Sequence, residues 1–252
     1  MEFESLKYDK KDGVAKITIN RPNVMNALTP MLLKEMKAAV EDAGRDKKVG
    51  VVVITGEGRA FSAGVDLKAL GEHKLERGKV GPILDVPARE LIETIQTVPK
   101  VVIAMVNGYC FTGALEIVLS CDLVIASEEA KFGDTHARWG LRPTWGMSQR
   151  LPRTVGLLKA RELSLTAETI DGHEAQRIGL VNIAVPADKL EEATTDLVKK
   201  IMANSLESLA AYKYLYNHGM SLTLEKGLEL EFSSEFNITD TEDRLAGFRK
   251  KG

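Results

Sequence analysis

Apolar runs of strand length recur through the first two thirds of the chain, with helical patterns between them. Residues 3–9 and 14–20 flank Asp12-Gly13, a dipeptide typical of a tight hairpin turn. Further strands are predicted at residues 51–54, 101–106, 123–126 and 180–185, where the apolar runs are short and nearly continuous. Strands that alternate with helices predict an α/β fold.

Helices are predicted between these strands and throughout the last third of the chain. Thr29 followed by Pro30 predicts an N-cap and a first helical position, for a helix that runs to about Ala43. Its inward-facing residues are predicted to be Met31, Leu32, Met36 and Val40. The other predicted helices are at residues 88–97, 114–119, 157–165, 171–177 (capped by Thr169 or Asp171), 190–203, 206–217, 222–236 and 240–250. The chain therefore ends in a helical region behind an α/β core.

Three polar, glycine-containing segments interrupt the regular patterns. In residues 58–70, Gly64 permits a sharp turn that leaves the amides of Gly64 and Val65 free to face a ligand. Residues 72–86 are predicted to form a mobile surface loop, suited to act as a lid. Residues 132–136 are predicted to form a loop after the strand at 123–126.

Composition narrows the class of protein. The 252 residues predict one domain, or one domain with a helical appendage, and 44% hydrophobic with 28% charged residues is typical of a soluble globular protein. A net charge of −2 argues against nucleic acid as the main partner. The two cysteines, Cys110 and Cys121, form no disulfide framework, and no apolar run approaches the ~20 residues of a membrane-spanning helix. Since the N-terminus also lacks the apolar segment of a signal peptide, we expect a cytoplasmic protein without a membrane partner.

Candidate acid/base residues lie in residues 102–149. Glu116 is the single charge in an apolar helical pattern that begins after Gly113, and Asp134 and His136 follow on the next predicted loop. A carboxylate and a histidine are the groups that general acid/base catalysis uses, and histidine changes charge near neutral pH. Two plainer interpretations stay open: Glu116 as a carboxylate favoured at a helix start, and His136 as a hydrogen-bonded loop histidine.

The sequence resembles the crotonase (enoyl-CoA hydratase/isomerase) superfamily along nearly its whole length. The matching segments are Arg21-Pro22 with Asn26-Ala27-Leu28, AFSAGVDL at residues 60–67, Asn107-Gly108 with Gly113 and Glu116, Cys121-Asp122-Leu123, Phe132-Gly133, Gln149-Arg150-Leu151, and Ala175 with RIGLV at residues 177–181. The resemblance implies a ββα spiral core at residues 1–195 that holds a coenzyme A thioester. It also implies a helical oligomerisation region at residues 196–252, which forms a homotrimer or a dimer of trimers.

The resemblance also implies roles for individual residues. The amides of Val65 and Gly113 would form an oxyanion hole for the thioester oxygen, and Glu116 would be one of two acid/base residues. The family's second glutamate, which follows a proline, is replaced here by His136. From the residues alone, Asp134 is a candidate to orient His136 or a turn former or cap, and Trp139 and Trp145 are candidates for the wall of the pocket or the core. The residues expected to bind the substrate or its coenzyme A are Asn26, Ala27, Leu28, Ala63, Val65, Asp66, Leu67, Lys68 and Gly113. Lys68 is equally well explained as a solvated surface lysine.

The function that the resemblance implies is hydration of the α,β double bond of an enoyl-CoA. It implies no metal and no cofactor beyond the coenzyme A of the substrate. Because His136 departs from the family pattern, other activities stay open: a double-bond isomerase, a thioester or C–C hydrolase, a decarboxylase, or a coenzyme A-binding protein without activity.

Overall fold

The computed structural model describes residues 2–68 and 75–249. The strands of the main sheet are β1 (Leu6–Lys11), β2 (Val14–Ile19), β3 (Val51–Gly56), β5 (Val101–Val106), β7 (Leu123–Ser127) and β10 (Ile183–Val185). The strands of a second sheet are β4 (Ala60–Ser62), β6 (Tyr109–Phe111), β8 (Lys131–Gly133) and β9 (Thr169–Asp171). The helices are α1 (Pro30–Arg45), α2 (Pro82–Thr97), α3 (Gly113–Val118), α4 (Met147–Val155), α5 (Leu157–Thr166), α6 (Gly172–Arg177), α7 (Leu190–Met202), α8 (Leu206–Gly219), α9 (Leu224–Ser233) and α10 (Thr241–Arg249).

The two sheets are built by one repeated unit. The main sheet has six strands in the order β1-β2-β3-β5-β7-β10, and the second has four in the order β4-β6-β8-β9. Each of the parallel neighbours β3, β5 and β7 is followed by one short strand of the second sheet and then by a helix. This succession is a spiral of ββα turns, which confirms the predicted fold class.

The central strands are apolar throughout because both faces of the main sheet are covered. On β3, Val52 and Ile54 join the larger core with α1 and α2, whereas Val51 and Val53 pack on the opposite face against α7. Burial on both faces explains why β3 and β5 show runs of apolar residues and not an alternation. The division predicted at residue 195 falls inside α7, and the separate oligomerisation region stays a prediction.

Several predicted elements are confirmed and some boundaries are wrong. The hairpin turns at Asp12 and Gly13, whose φ values of 51° and 80° are those of a tight turn between strands. Met31 is exposed, so its predicted inward position is wrong, and Leu33 is buried instead. Helix α2 begins at Pro82, six residues before the predicted start at 88, because Leu84, Ala88 and Leu91 already form its buried face. The predicted loop therefore ends before residue 82, and its residues 72–74 lie outside the described part of the chain.

The sequence patterns do not reveal the short elements. Strands of three residues cannot show a hydrophobic period, so β4, β6 and β8 were not predicted, and Phe132-Gly133, predicted as loop, lies in β8. Helix α4 was also missed, because Pro152 lies inside it. Within residues 2–68 and 75–249 no helix is long and apolar enough to cross a membrane, and the cytoplasmic location stays a prediction.

Candidate active site

Two backbone amides, of Val65 and Gly113, lie on one cavity. On either side of Val65, the carbonyl of Gly64 and the amide of Asp66 bond to Leu28, at 2.8 and 2.9 Å. Since successive amides in extended backbone point to opposite sides, the N–H of Val65 points away from Leu28. Gly113 is the first residue of α3, where an amide has no partner within the helix. In the part of the chain that the structure describes, neither amide donates a hydrogen bond.

The two segments that carry these amides pack directly on each other. Gly64 has a φ of +90°, and a Cβ built on it would lie 2.2 Å from Oγ1 of Thr112. Thr112, the residue before Gly113, has φ 46° and ψ −114°, a strained conformation for a β-branched residue, and its amide donates to the carbonyl of Gly133 at 3.0 Å. The close contact therefore requires glycine at position 64, and the strain at Thr112 turns the chain into α3.

Glu116 is buried at the wall of the same cavity. It is 1% exposed, and its Oε1 accepts hydrogen bonds from the amides of Trp145 and Met147, at 3.0 and 2.9 Å. Burial, the largest influence, raises the pKa of Glu116 above its usual range, while the backbone donors and His136 offset part of the rise. The carboxyl group thus holds a proton more readily than one in water, as an acid/base residue near neutral pH requires.

His136 faces Glu116 and is fixed from behind by Asp134. Nδ1 of His136 lies 2.6 Å from Oδ1 of Asp134, and Nε2 lies 3.7 Å from Oε2 of Glu116. The other oxygen of Asp134 accepts a hydrogen bond of 2.6 Å from Oγ of Ser164 on α5. Burial alone would raise the pKa of Asp134, but the hydrogen bonds from His136 and Ser164 outweigh it and hold that pKa below its usual range. An ionised Asp134 keeps a proton on Nδ1, which leaves Nε2 as the nitrogen that exchanges protons at the cavity.

The cavity encloses about 60 Å³ between these groups and two tryptophans. Trp145 is 5% exposed and forms part of the inner wall, whereas Trp139 is 65% exposed. Among the described residues, the lining is Ala63, Val65, Leu67, Val80, Thr112, Gly113, Glu116, Thr135, His136, Trp139, Leu141, Arg142, Thr144 and Trp145. Glu116 and His136 line the same cavity. A helix-start carboxylate and a hydrogen-bonded loop histidine, the two plainer interpretations, do not explain this shared position.

Not every predicted site residue reaches the cavity. Asn26 is fully buried, and its side chain is used in bonds to the carbonyls of Glu57 and Ala60 and to the amide of Arg21. Leu28 is also fully buried, so both side chains pack inside the protein, and the binding role of these residues stays a prediction. Ala27 is buried, Lys68 is exposed, and Asp66 forms an ion pair with Arg21 at 3.0 Å.

Two residues that hold the site were missed by sequence reasoning. Ser164 and Asp85 reach it from 30 and 60 residues away, and no local pattern marks such contacts. His173 and His218 are exposed, and His73 lies outside the described residues. Burial raises the pKa of the Cys110 thiol well above its usual range, and the side chain packs in the hydrophobic core. Among residues 2–68 and 75–249 no group of three His, Cys, Asp or Glu side chains is placed to hold a metal ion.

A comparison with known protein families shows the family of this chain. The family described as Enoyl-CoA hydratase/isomerase matches residues 9–251. The chain belongs to this family. A probable enoyl-CoA hydratase of Rhizobium meliloti is 36% identical over 254 residues, which cover 100% of this chain and 97% of the relative. A probable peroxisomal enoyl-CoA hydratase 1 of Arabidopsis thaliana is 37% identical over 230 residues, with 90% and 84% covered.

Solved structures of this family have the same fold as this chain. The crystal structure of an enoyl-CoA hydratase from Bacillus anthracis matches with a TM-score of 0.90 and 31% identity, over 98% of this chain and 97% of that one. The predicted resemblance to the crotonase superfamily is thus confirmed over almost the full length.

Proposed function

We propose that this enzyme is an enoyl-CoA hydratase, which adds water across the α,β double bond of a coenzyme A thioester. The observation that carries the proposal is the buried pair of Glu116 and His136, 3.7 Å apart at a cavity that two free amides also face. The relatives named above as enoyl-CoA hydratases support the same activity.

The thioester oxygen accepts hydrogen bonds from the amides of Val65 and Gly113 in this proposal. As water adds to the β-carbon, the electrons of the double bond move towards the carbonyl, and negative charge builds on that oxygen. Fixed amide donors stabilise this charge with little reorganisation, and loss of one such donor typically costs ~10²–10³ in rate. The contact between Gly64 and Thr112 keeps both donors in place.

Glu116 and His136 divide the two proton transfers. Glu116 accepts a proton from the attacking water as the new C–O bond forms at the β-carbon. The imidazolium of His136 donates a proton to the α-carbon as the enolate collapses. A proton on Glu116 then returns to Nε2 of His136 across their short separation, which regenerates the starting state. One water is consumed and no other reactant is needed.

The remainder of the substrate lies outside the catalytic cavity. Residues 66–68 follow Val65 towards the exposed surface, so we place the coenzyme A moiety along them, with Lys68 available to a phosphate. The reaction uses no cofactor beyond this coenzyme A, and the C-terminal helices assemble subunits into a trimer or a dimer of trimers.

The test is incubation of the protein with crotonyl-CoA. Hydration removes the conjugated enoyl thioester, so its absorbance falls and the product mass increases by one water. Conversion of a 3-enoyl-CoA to its 2-enoyl isomer, without any gain of water, would replace the hydratase by an isomerase. Tight binding of coenzyme A with no change in any enoyl-CoA would contradict an enzymatic role and favour a binding protein.

A further inference from the structure

The indole ring of Trp145 lies against the Cα atom of Gly113. A Cβ built on Gly113 would lie 2.5 Å from Cζ3 and 3.0 Å from Cε3 of Trp145, so the ring already fills the space beside this residue. Gly113 supplies one of the two amides proposed to hold the thioester oxygen, and the acyl chain begins at the carbon bonded to that oxygen. An acyl chain in this site therefore has the Trp145 ring as its neighbour within its first few atoms.

Hydrogen bonds fix this ring in its position. Nε1 of Trp145 donates to Oδ1 of Asp85 on α2 at 2.8 Å, and Oγ1 of Thr144 donates to the same oxygen at 2.7 Å. The backbone of Trp145 is held as well, because its amide donates to Glu116 and its carbonyl accepts from Arg150 at 2.9 Å. To move aside for a long chain, the ring would leave a buried position and break its bond to Asp85, and Nε1 of Trp145 would lose this acceptor.

We propose that Trp145, anchored by Asp85, is the specificity-determining residue that restricts this site to short acyl groups such as the crotonyl group. The identity of the ligand as an acyl-CoA rests on the proposed function. The small cavity of about 60 Å³ between Trp145, Glu116 and His136 agrees with a short chain. Asp85 acts through Trp145 and is a positioning residue.

Binding of saturated acyl-CoAs tests this inference without any turnover. Calorimetry gives the dissociation constants of butyryl-CoA and decanoyl-CoA for the wild type, for Trp145→Ala and for Tyr216→Ala. We expect the wild type to favour butyryl-CoA by at least ~10-fold, the order of discrimination that a hydrophobic pocket can reach by size. Trp145→Ala should reduce that preference to about one or reverse it. Tyr216→Ala is the control, because it removes a large ring that is mainly exposed and lies outside the cavity lining, and it should keep the preference.

Variants of Asp85 test the anchor without removal of the ring. Asp85→Asn keeps an acceptor for Nε1 and should retain the preference, whereas Asp85→Leu should weaken it by several-fold. They also serve as the test if Trp145→Ala does not fold. The inference is overturned if the wild type binds decanoyl-CoA as tightly as butyryl-CoA, or if neither Trp145→Ala nor Asp85→Leu changes the ratio. The two proposals fail separately, because the binding ratio can hold without hydration of any enoyl-CoA, and hydration can occur with an unchanged ratio.

Discussion

At the scale of the residue, the burial of Glu116 suits acid/base catalysis but lowers the stability of the folded protein as the pH rises. Its carboxyl group is buried with two backbone donors on one oxygen, and burial raises its pKa above the ordinary value. A raised pKa means that the folded state binds this proton more tightly than the unfolded state does. The associated stability is therefore fully present below the unfolded pKa, near 4.5, and is lost as the pH rises through the folded pKa.

Glu116→Gln should remove this pH dependence. The amide oxygen can accept the same two backbone hydrogen bonds, but the side chain carries no charge at any pH. We expect the free energy of unfolding of the variant to equal that of the wild type near pH 4 and to exceed it at neutral pH. Denaturant titrations at a series of pH values measure the difference. An equal difference at every pH would mean that burial does not perturb this carboxyl group.

Gly64→Ala tests the contact between the two oxyanion segments. The added Cβ would meet Oγ1 of Thr112 at 2.2 Å at a φ of +90°, so one or both segments must shift. We expect kcat to fall by ~10²–10³, the loss typical of one oxyanion donor. Gly219→Ala is the control, because a Cβ there meets nothing within 4 Å and should leave kcat unchanged. Full activity of Gly64→Ala would show that the packing of these segments does not position the amides.

Sequence reasoning found the residues at this scale that stand out locally. Glu116 is a single charge in an apolar helix, and the resemblance placed Val65, Gly113 and His136 at the same cavity. It did not find Ser164 or Asp85, because the residues beside them in the sequence do not indicate a hydrogen bond to a distant part of the chain. The side chains of Asn26 and Leu28 are fully buried, and the part of these residues in binding the substrate stays a prediction.

At the scale of the element, the length of a strand decides how much its sequence reveals. The strands β3 and β5 were predicted because both their faces are buried, which makes each residue apolar. The strands β4, β6 and β8 contain three residues each, and only their partners in the second sheet define them. Val65 comes shortly after β4, Gly113 after β6 and His136 after β8. The geometry of the site therefore depends on the elements that are hardest to predict from the sequence.

Lys213 joins α8 to the core through a buried ion pair. Its Nζ lies 2.7 Å from Oδ2 of Asp122 and also donates to the carbonyls of Ile95 and Lys100, at 2.7 and 2.9 Å. Lys213→Met leaves these acceptors without their donor, and loss of one partner of a buried pair typically costs about 3–5 kcal/mol of unfolding free energy. Denaturant titration measures this loss, with Lys200→Met on α7 as the exposed control.

The loss in Lys213→Met should also depend on pH. Burial raises the pKa of Asp122, and Lys213 offsets part of that rise, so its removal raises the pKa further. Protonation of Asp122 then relieves the unpaired charge, and the destabilisation should shrink as the pH falls below neutral. A destabilisation below 1 kcal/mol at neutral pH would contradict the role of this pair in docking α8.

At the scale of the whole molecule, the C-terminal helices expose large apolar side chains. Phe232 is 94% and Leu224 80% exposed on α9, and Phe236 and Leu245 are also exposed. Several exposed apolar residues on neighbouring helices indicate a contact surface, and the family resemblance implies that a second and third copy of the chain cover it. Light scattering should give the mass of a trimer or hexamer, and Phe232→Glu should lower it. A monomer mass for the wild type would contradict the predicted assembly.

The division of labour between Glu116 and His136 is the central claim, and the rate of crotonyl-CoA hydration in two variants tests it most directly. Glu116→Gln and His136→Ala should each lower kcat by ~10²–10⁴, the usual worth of general acid/base catalysis, while butyryl-CoA still binds. The pH–rate profile of His136→Ala should lose one limb, because alanine has no group that donates or accepts a proton. Full activity of His136→Ala with an unchanged profile would contradict the account and leave Glu116 as the only acid/base residue.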